Sequence, residues 1–182
     1  MTIKLPCHYI FIDHSFKFLY FRMDLFKQEE IFIMNDVRLL YVSKFKDERY
    51  STSELYNILT EALEFNELHK IYGALYFGNN YFVQCLEGTE EDVKDLFYNR
   101  IVKDPRHKNC EILSYEIIDS YLFSSWHMKY ANVHNDFIEF FIKNHHDGFN
   151  PYLLEPDTIP AFIELLRQHE DDLYKAQVMA SA

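Results

Sequence analysis

Val37-Arg38-Leu39-Leu40-Tyr41-Val42-Ser43 is short, β-branched and aromatic, the pattern of a buried strand. Ser51-x-x-Glu54 then forms a capping box ahead of Leu55, Ile58, Leu59 and Ala62 at helical spacing, which predicts a helix over residues 52–66. Ile71 to Phe77, the turn Gly78-Asn79-Asn80 and Tyr81 to Glu87 read as a β-hairpin. A second cap, Thr89-x-x-Asp92, opens a helix with Val93, Leu96, Phe97 and Ile101 as its inner stripe, and Asp104-Pro105 ends it. Ile112 to Asp119 and His127 to Tyr130 are the remaining strands. The predicted order is β-α-β-β-α-β-β, an α+β, ferredoxin-like sheet with one added strand and two helices on one face. Two further amphipathic segments, Phe137 to Ile142 and Pro160 to Tyr174, flank a loop over residues 148–156. The stretch from Phe137 to Tyr174, loop included, spans about 40 residues, too few for an independent domain, and is expected to pack on the sheet.

Three polar residues break this pattern. Period-2 alternation puts Gln84 on one face with Phe82 and Leu86, and Tyr41 on one face with Val37 and Leu39. Asn66 stands eight residues after Ile58 and eleven after Leu55, rotations that return it to the apolar stripe of its helix. A buried amide or phenol without a partner costs about 1–3 kcal/mol. These groups must therefore bond each other, backbone, water or a ligand. In a split βαβ sheet the first strand lies beside the third, so Tyr41 and Gln84 are expected to be neighbours, with Asn66 looking into the same cleft between the helices.

Composition narrows the function classes. A chain of 182 residues is one domain with attachments. Its 29 acidic against 18 basic residues give a net charge of -11, which disfavours direct binding to nucleic acid or to an anionic membrane. The three cysteines, Cys7, Cys85 and Cys110, form no pair at zinc or redox spacing, and no apolar run reaches the length of a membrane span, so a reducing cytoplasm is the expected compartment and no metal site is expected. Residues 1–33 hold 4 basic and 4 acidic residues and eight Phe or Tyr at no clean period. Met34 is read as an alternative natural start. The expected organisation is an N-terminal extension over 1–33, a domain over 34–131 and a helical segment over 132–182.

An ordered set of short motifs carries a resemblance. Leu39-Leu40-Tyr41-Val42-Ser43 is followed by Asn66 and Ile71-Tyr72-Gly73-Ala74-Leu75, then Phe82-Val83-Gln84-Cys85-Leu86-Glu87-Gly88, Asp104-Pro105-Arg106-His107 and Trp126-His127-Met128. From Val37 to Tyr130 the chain resembles the BLUF family, flavin-binding sensors of blue light. The resemblance implies FAD, or FMN, held non-covalently between the two helices. It implies Tyr41 as electron and proton donor to the photoexcited flavin, and Gln84 as the amide that rearranges by rotation or tautomerisation, strengthening a hydrogen bond to the flavin and reddening its absorption. It further implies Asn66 on the pyrimidine edge, Ile58 and Ile101 sandwiching the ring, and Trp126 and Met128 relaying the switch to the last strand. Two positions depart from the family pattern: Phe65, where many members carry a second Asn, and Leu68, where a basic side chain is common. Lys70, Arg106 or His107 are the alternatives for the ribityl and phosphate groups.

The expected function is a blue-light photoreceptor signalling through its C-terminal helices to a protein partner or a second copy, and not an enzyme. A flavin-free interaction module of the same fold is the alternative. A flavin enzyme is disfavoured, because His69, His127, His134, His145 and His146 stand at no recognised catalytic or metal spacing.

Overall fold

The computed structural model describes residues 19–20, 32–33, 35–46, 52–123, 126–129, 135–144, 146 and 148–168. The chain divides into two compact units, residues 1–35 and 36–182. In the first, β1 (Leu19–Tyr20) pairs antiparallel with β2 (Phe32–Ile33).

The second unit runs β3 (Asp36–Phe45), α1 (Thr52–Leu68), β4 (Tyr72–Gly78), β5 (Tyr81–Thr89) and α2 (Glu90–Asp95), which continues as a π-helical segment, Leu96–Ile101. It ends with β6 (His107–Ile118), β7 (Trp126–Lys129), α3 (Asn135–Lys143), a 3-10 turn at Pro151–Leu153 and α4 (Ile159–Gln168). The sheet order is β6-β3-β5-β4-β7, antiparallel except for the β4–β7 pair. The ferredoxin-like sheet with its added strand is thus the observed architecture.

Local chemistry explains the elements. Asn79 and Asn80, with φ 48° and 64°, form the two-residue turn of the hairpin, where both central residues need positive φ. Thr89 caps α2 by accepting a hydrogen bond from the Asp92 amide at 3.2 Å. Gly73 has φ 144°, and a Cβ there would lie 2.0 Å from the carbonyl oxygen of Cys85, so β4 and β5 approach this closely only around a glycine.

The central strands are covered on both faces, which is why they read as nearly continuous apolar runs. Val37, Leu39, Tyr41 and Leu86 face Val93, Leu96, Phe97 and Ile101 from helix 2, the continuous run of α2 and the π-helical segment over Glu90–Ile101. Leu40, Val42, Val83 and Cys85 face Phe137, Phe141, Phe162 and Leu166 from α3 and α4. Those three phenylalanines are fully buried, and at about 1.5–3 kcal/mol each they hold the C-terminal helices on the sheet.

Three differences from the sequence reading have physical causes. β6 starts at His107 rather than Ile112, because His107 and Lys108 join the sheet edge through backbone pairing with Phe45 and Lys44 and need no apolar side chains. Helix 2 widens into π geometry, with the Val102 amide bonded to the Phe97 carbonyl at 2.9 Å, five residues back. β7 begins at Trp126 rather than His127. The expected cap at Ser51 and residues 169–174 of the last amphipathic segment lie outside the described residues. Among those residues, no helix is long and apolar enough to cross a membrane.

Candidate functional site

Direct opposition of Tyr41 and Gln84 in the β3–β5 register puts both side chains on one face of the sheet, the face that packs against α1 and α2. Tyr41 Oη donates to Gln84 Oε1 at 2.7 Å, with both residues almost wholly buried. Burial pushes the Tyr41 phenol well above its ordinary value of 10, with Cys110 and Asp104 adding to the effect, so the hydroxyl keeps its proton.

Beside this pair opens a cavity of about 110 Å³, lined by Tyr41, Gln84 and Leu75 from the sheet, Ile58, Glu61, Ala62, Phe65 and Asn66 from α1, and Leu96, Arg100 and Ile101 from the π segment, with Asp104 and Arg106 in the loop beyond and His107 at the start of β6. Asn66 is fully buried, yet among the described residues neither its Oδ1 nor its Nδ2 has a hydrogen-bond partner. Such an amide is stable only where something with both donor and acceptor groups meets it.

The structure therefore brings together Tyr41, Ile58, Asn66, Gln84, Ile101, Arg106 and His107 around one cavity. Lys70 is exposed and is not among the lining residues. Trp126 and Met128 pair through their backbone with Gly73 and Leu75, while their side chains lie outside the described residues. Sequence reasoning missed Arg100, Leu96 and Leu75 as lining residues. The signal for Leu75 was its place on the strand paired with β5, where it stands opposite Gln84. Leu96 and Arg100 lie four residues apart on one helix, but a charged residue at that spacing reads as solvated surface.

Charge at the cavity mouth is nearly balanced. Arg106 Nε bonds Asp104 Oδ1 at 2.9 Å, and its Nη2 is shared between Asp104 and Glu61. His107 Nδ1 lies 2.8 Å from Ser43 Oγ, and its ring packs on Phe82. Burial draws His107 down to about 4, overriding the attraction of Asp104, so it is neutral near pH 7 and offers a hydrogen bond rather than a charge.

The linkage fixes a sign. In the unfolded chain His107 takes a proton at about 6.5, and in the fold only near 4. Protons bound preferentially by the unfolded state destabilise the fold as pH falls from about 6.5 to 4, by about 2–3 kcal/mol in total. Urea unfolding of the wild type and His107→Gln at pH 7.5 and 4.5 is expected to show the variant's stability deficit shrinking at the lower pH. A deficit that stays constant would mean that His107 is not the buried neutral group.

Comparisons with known proteins agree with this geometry. The sequence profile described as "Sensors of blue-light using FAD" (BLUF) matches residues 37–129. Among solved structures, BlsA in its ground state is 39% identical with a TM-score of 0.67, the match covering 72% of this chain and 87% of that one. The dark-state structure of BlrB, a BLUF protein, is 27% identical with a TM-score of 0.50, covering 55% and 74%. A curated relative, photoactivated adenylate cyclase subunit alpha from Euglena gracilis, is 30% identical over 99 residues, 54% of this chain and 10% of that protein. The chain thus spans about a tenth of the length of the curated relatives it matches.

Proposed function

The chain belongs to the BLUF family, the sensors of blue light using FAD, and from that premise we propose a blue-light receptor in which FAD occupies the cavity beside Tyr41 and Gln84. The observation that carries this reading is the buried Tyr41–Gln84 hydrogen bond facing the same cavity as the unpartnered Asn66 amide. The residues fit a flavin. The pyrimidine edge of an isoalloxazine ring has carbonyl acceptors and an imide donor, which one carboxamide can match with its own donor and acceptor. Ile58 from α1 and Ile101 from the π segment supply apolar walls for a flat ring. FMN would meet the same inner residues.

A bound flavin supplies absorption of blue light and an excited-state oxidant. The chain supplies position and a proton. With flavin bound, Tyr41, held neutral by burial, would release an electron to the excited-state oxidant and its Oη proton by way of Gln84 Oε1, at which it already points, and would take both back as the cycle closes. While Oη donates, the amide must present its oxygen. Reversal of the amide, within nearly the same volume, presents Nε2 to Oη and turns the acceptor end elsewhere, so Tyr41 changes from donor to acceptor. Gln84 is thereby a two-state element.

β5 is one residue thick between switch and output. Gln84 faces the cavity, while its neighbours Val83 and Cys85 belong to the cluster under Phe137, Phe141 and Phe162. Rearrangement at Gln84 therefore passes to α3 and α4, with Trp126 and Met128 on β7 as the second route. The flavin domain occupies residues 34–131 and the output segment 132–182, following an N-terminal extension over 1–33. The output is a non-enzymatic contact with a protein partner or a second copy in the cytoplasm, to which a chain of net charge -11 is better suited than to nucleic acid.

Absorption of the purified protein in the dark, directly after blue light and during recovery tests this reading. A flavin spectrum that moves slightly to the red and relaxes back is expected. Protein that stays colourless after incubation with FAD would replace the receptor by an interaction module of the same fold.

A further inference from the structure

Two guanidinium groups stand at the cavity mouth, and they are not equivalent. Arg106 is held by two carboxylates, Asp104 and Glu61. Arg100 is exposed, and among the described residues no carboxylate pairs with it; its guanidinium lies over the ring of Phe65, with Cζ 3.8 Å from the ring centre.

The His69 ring also lies against Phe65, stacked at 3.9 Å between centres with 23° between planes. Two planar groups this close cannot share one face of a phenyl ring, so Phe65 is sandwiched between them. His69 is in turn tied to helix 2, its Nδ1 2.9 Å from Asp92 Oδ1. The Phe65 ring is thus fixed from behind and presents its front to Arg100.

Depth in the cavity orders the chemistry. Tyr41, Gln84 and Asn66 are 3% exposed or less, whereas Arg100 is at the surface. A flavin whose ring meets the inner amides directs its phosphate-bearing tail outward, where a charge keeps its contact with water. Of the charged groups lining the cavity, Glu61 and Asp104 cancel Arg100 and Arg106. Without Arg100 the mouth is net negative and repels phosphate.

Resting on the receptor reading above, we propose that Phe65 is a positioning residue for flavin nucleotides: its ring holds the Arg100 guanidinium where the phosphate arrives, so the chain favours FMN and FAD over riboflavin. The aromatic platform limits the orientations of a long side chain and leaves its donors free for the anion.

Titration of apoprotein with riboflavin, FMN and FAD, read by flavin fluorescence at low and high salt, tests this pairing. Wild type is expected to bind FMN about tenfold tighter than riboflavin at low salt, with the preference shrinking at high salt. Arg100→Gln removes most of that preference, Phe65→Leu reduces it about threefold, and Phe65→Tyr preserves it. The double variant is no worse than Arg100→Gln alone. Riboflavin binding in each variant reports that the cavity still folds. An Arg100→Gln protein that keeps the preference, additive effects of the two substitutions, or a Phe65→Leu loss equal for all three ligands each overturns the pairing. Wild type that binds no flavin overturns the receptor reading and this inference with it.

Discussion

Gln84→Leu is expected to bind flavin and to show no light-induced red shift. Leu fills nearly the volume of Gln in a position 3% exposed, so the cavity wall survives, but no amide remains against Tyr41 Oη to exchange donor and acceptor ends. Tyr41 Oη then loses its acceptor at 2.7 Å. A buried hydroxyl without a partner costs about 1–3 kcal/mol, which lowers the unfolding midpoint without unfolding the protein. Tyr41→Phe is the complementary case: it keeps the amide and the ring packing against Phe97 at 5.3 Å, and removes the proton and the oxidisable phenol. Both variants are expected to lose the whole response, because the two groups act as one hydrogen-bonded unit. Difference spectra before and after blue light measure this directly. A shift of wild-type size in either variant would mean that the switch lies elsewhere in the cavity.

The parts of this site legible in the sequence are those that regular periodicities project onto one face. Period 2 places Tyr41 and Gln84 inward, and helical rotation places Asn66 on the Ile58 stripe; all three are buried in the structure. What was not legible depends on irregular backbone or on partners distant in the chain. The π turn that accompanies Leu96, Arg100 and Ile101 into the cavity wall has no marker in an apolar pattern that suits an α-helix equally well. Arg100 is a surface charge by spacing, and only the Phe65 ring beneath it distinguishes it from its neighbours. Glu87 is the clearest case. It reads as the polar end of a hairpin strand, yet it is fully buried, because its partners come from 49, 35 and 36 residues away.

Glu87→Ala is expected to destabilise the fold by about 3–5 kcal/mol, the cost of breaking one side of a buried, hydrogen-bonded ion pair. The Glu87 carboxylate accepts from Arg38 Nε at 2.6 Å and from the backbone amides of Leu122 at 2.9 Å and Phe123 at 3.1 Å. Arg38 on β3 also reaches Glu116 on β6 at 2.7 Å, so the Arg38–Glu87 pair ties together three strands and the connection into β7. Truncation leaves the buried Phe123 amide and the part-buried Leu122 amide without their acceptor and the guanidinium half paired. Against a typical total stability of about 5–15 kcal/mol, that loss threatens folding itself, so Glu87→Gln is the measurable companion. It keeps one acceptor oxygen but turns an NH2 donor toward groups that are themselves donors, at an expected cost of about 2–3 kcal/mol. Urea unfolding gives the magnitude, and an Ala variant within about 1 kcal/mol of wild type would show that the pair contributes no more than an exposed one. Glu87 lies on the sheet face opposite Gln84, so the flavin spectrum of the Gln variant is expected to stay as in wild type while amide exchange rises at Leu122, Phe123 and β7. That separation would distinguish the residues that make the switch from the residue that fixes the strand through which it is read.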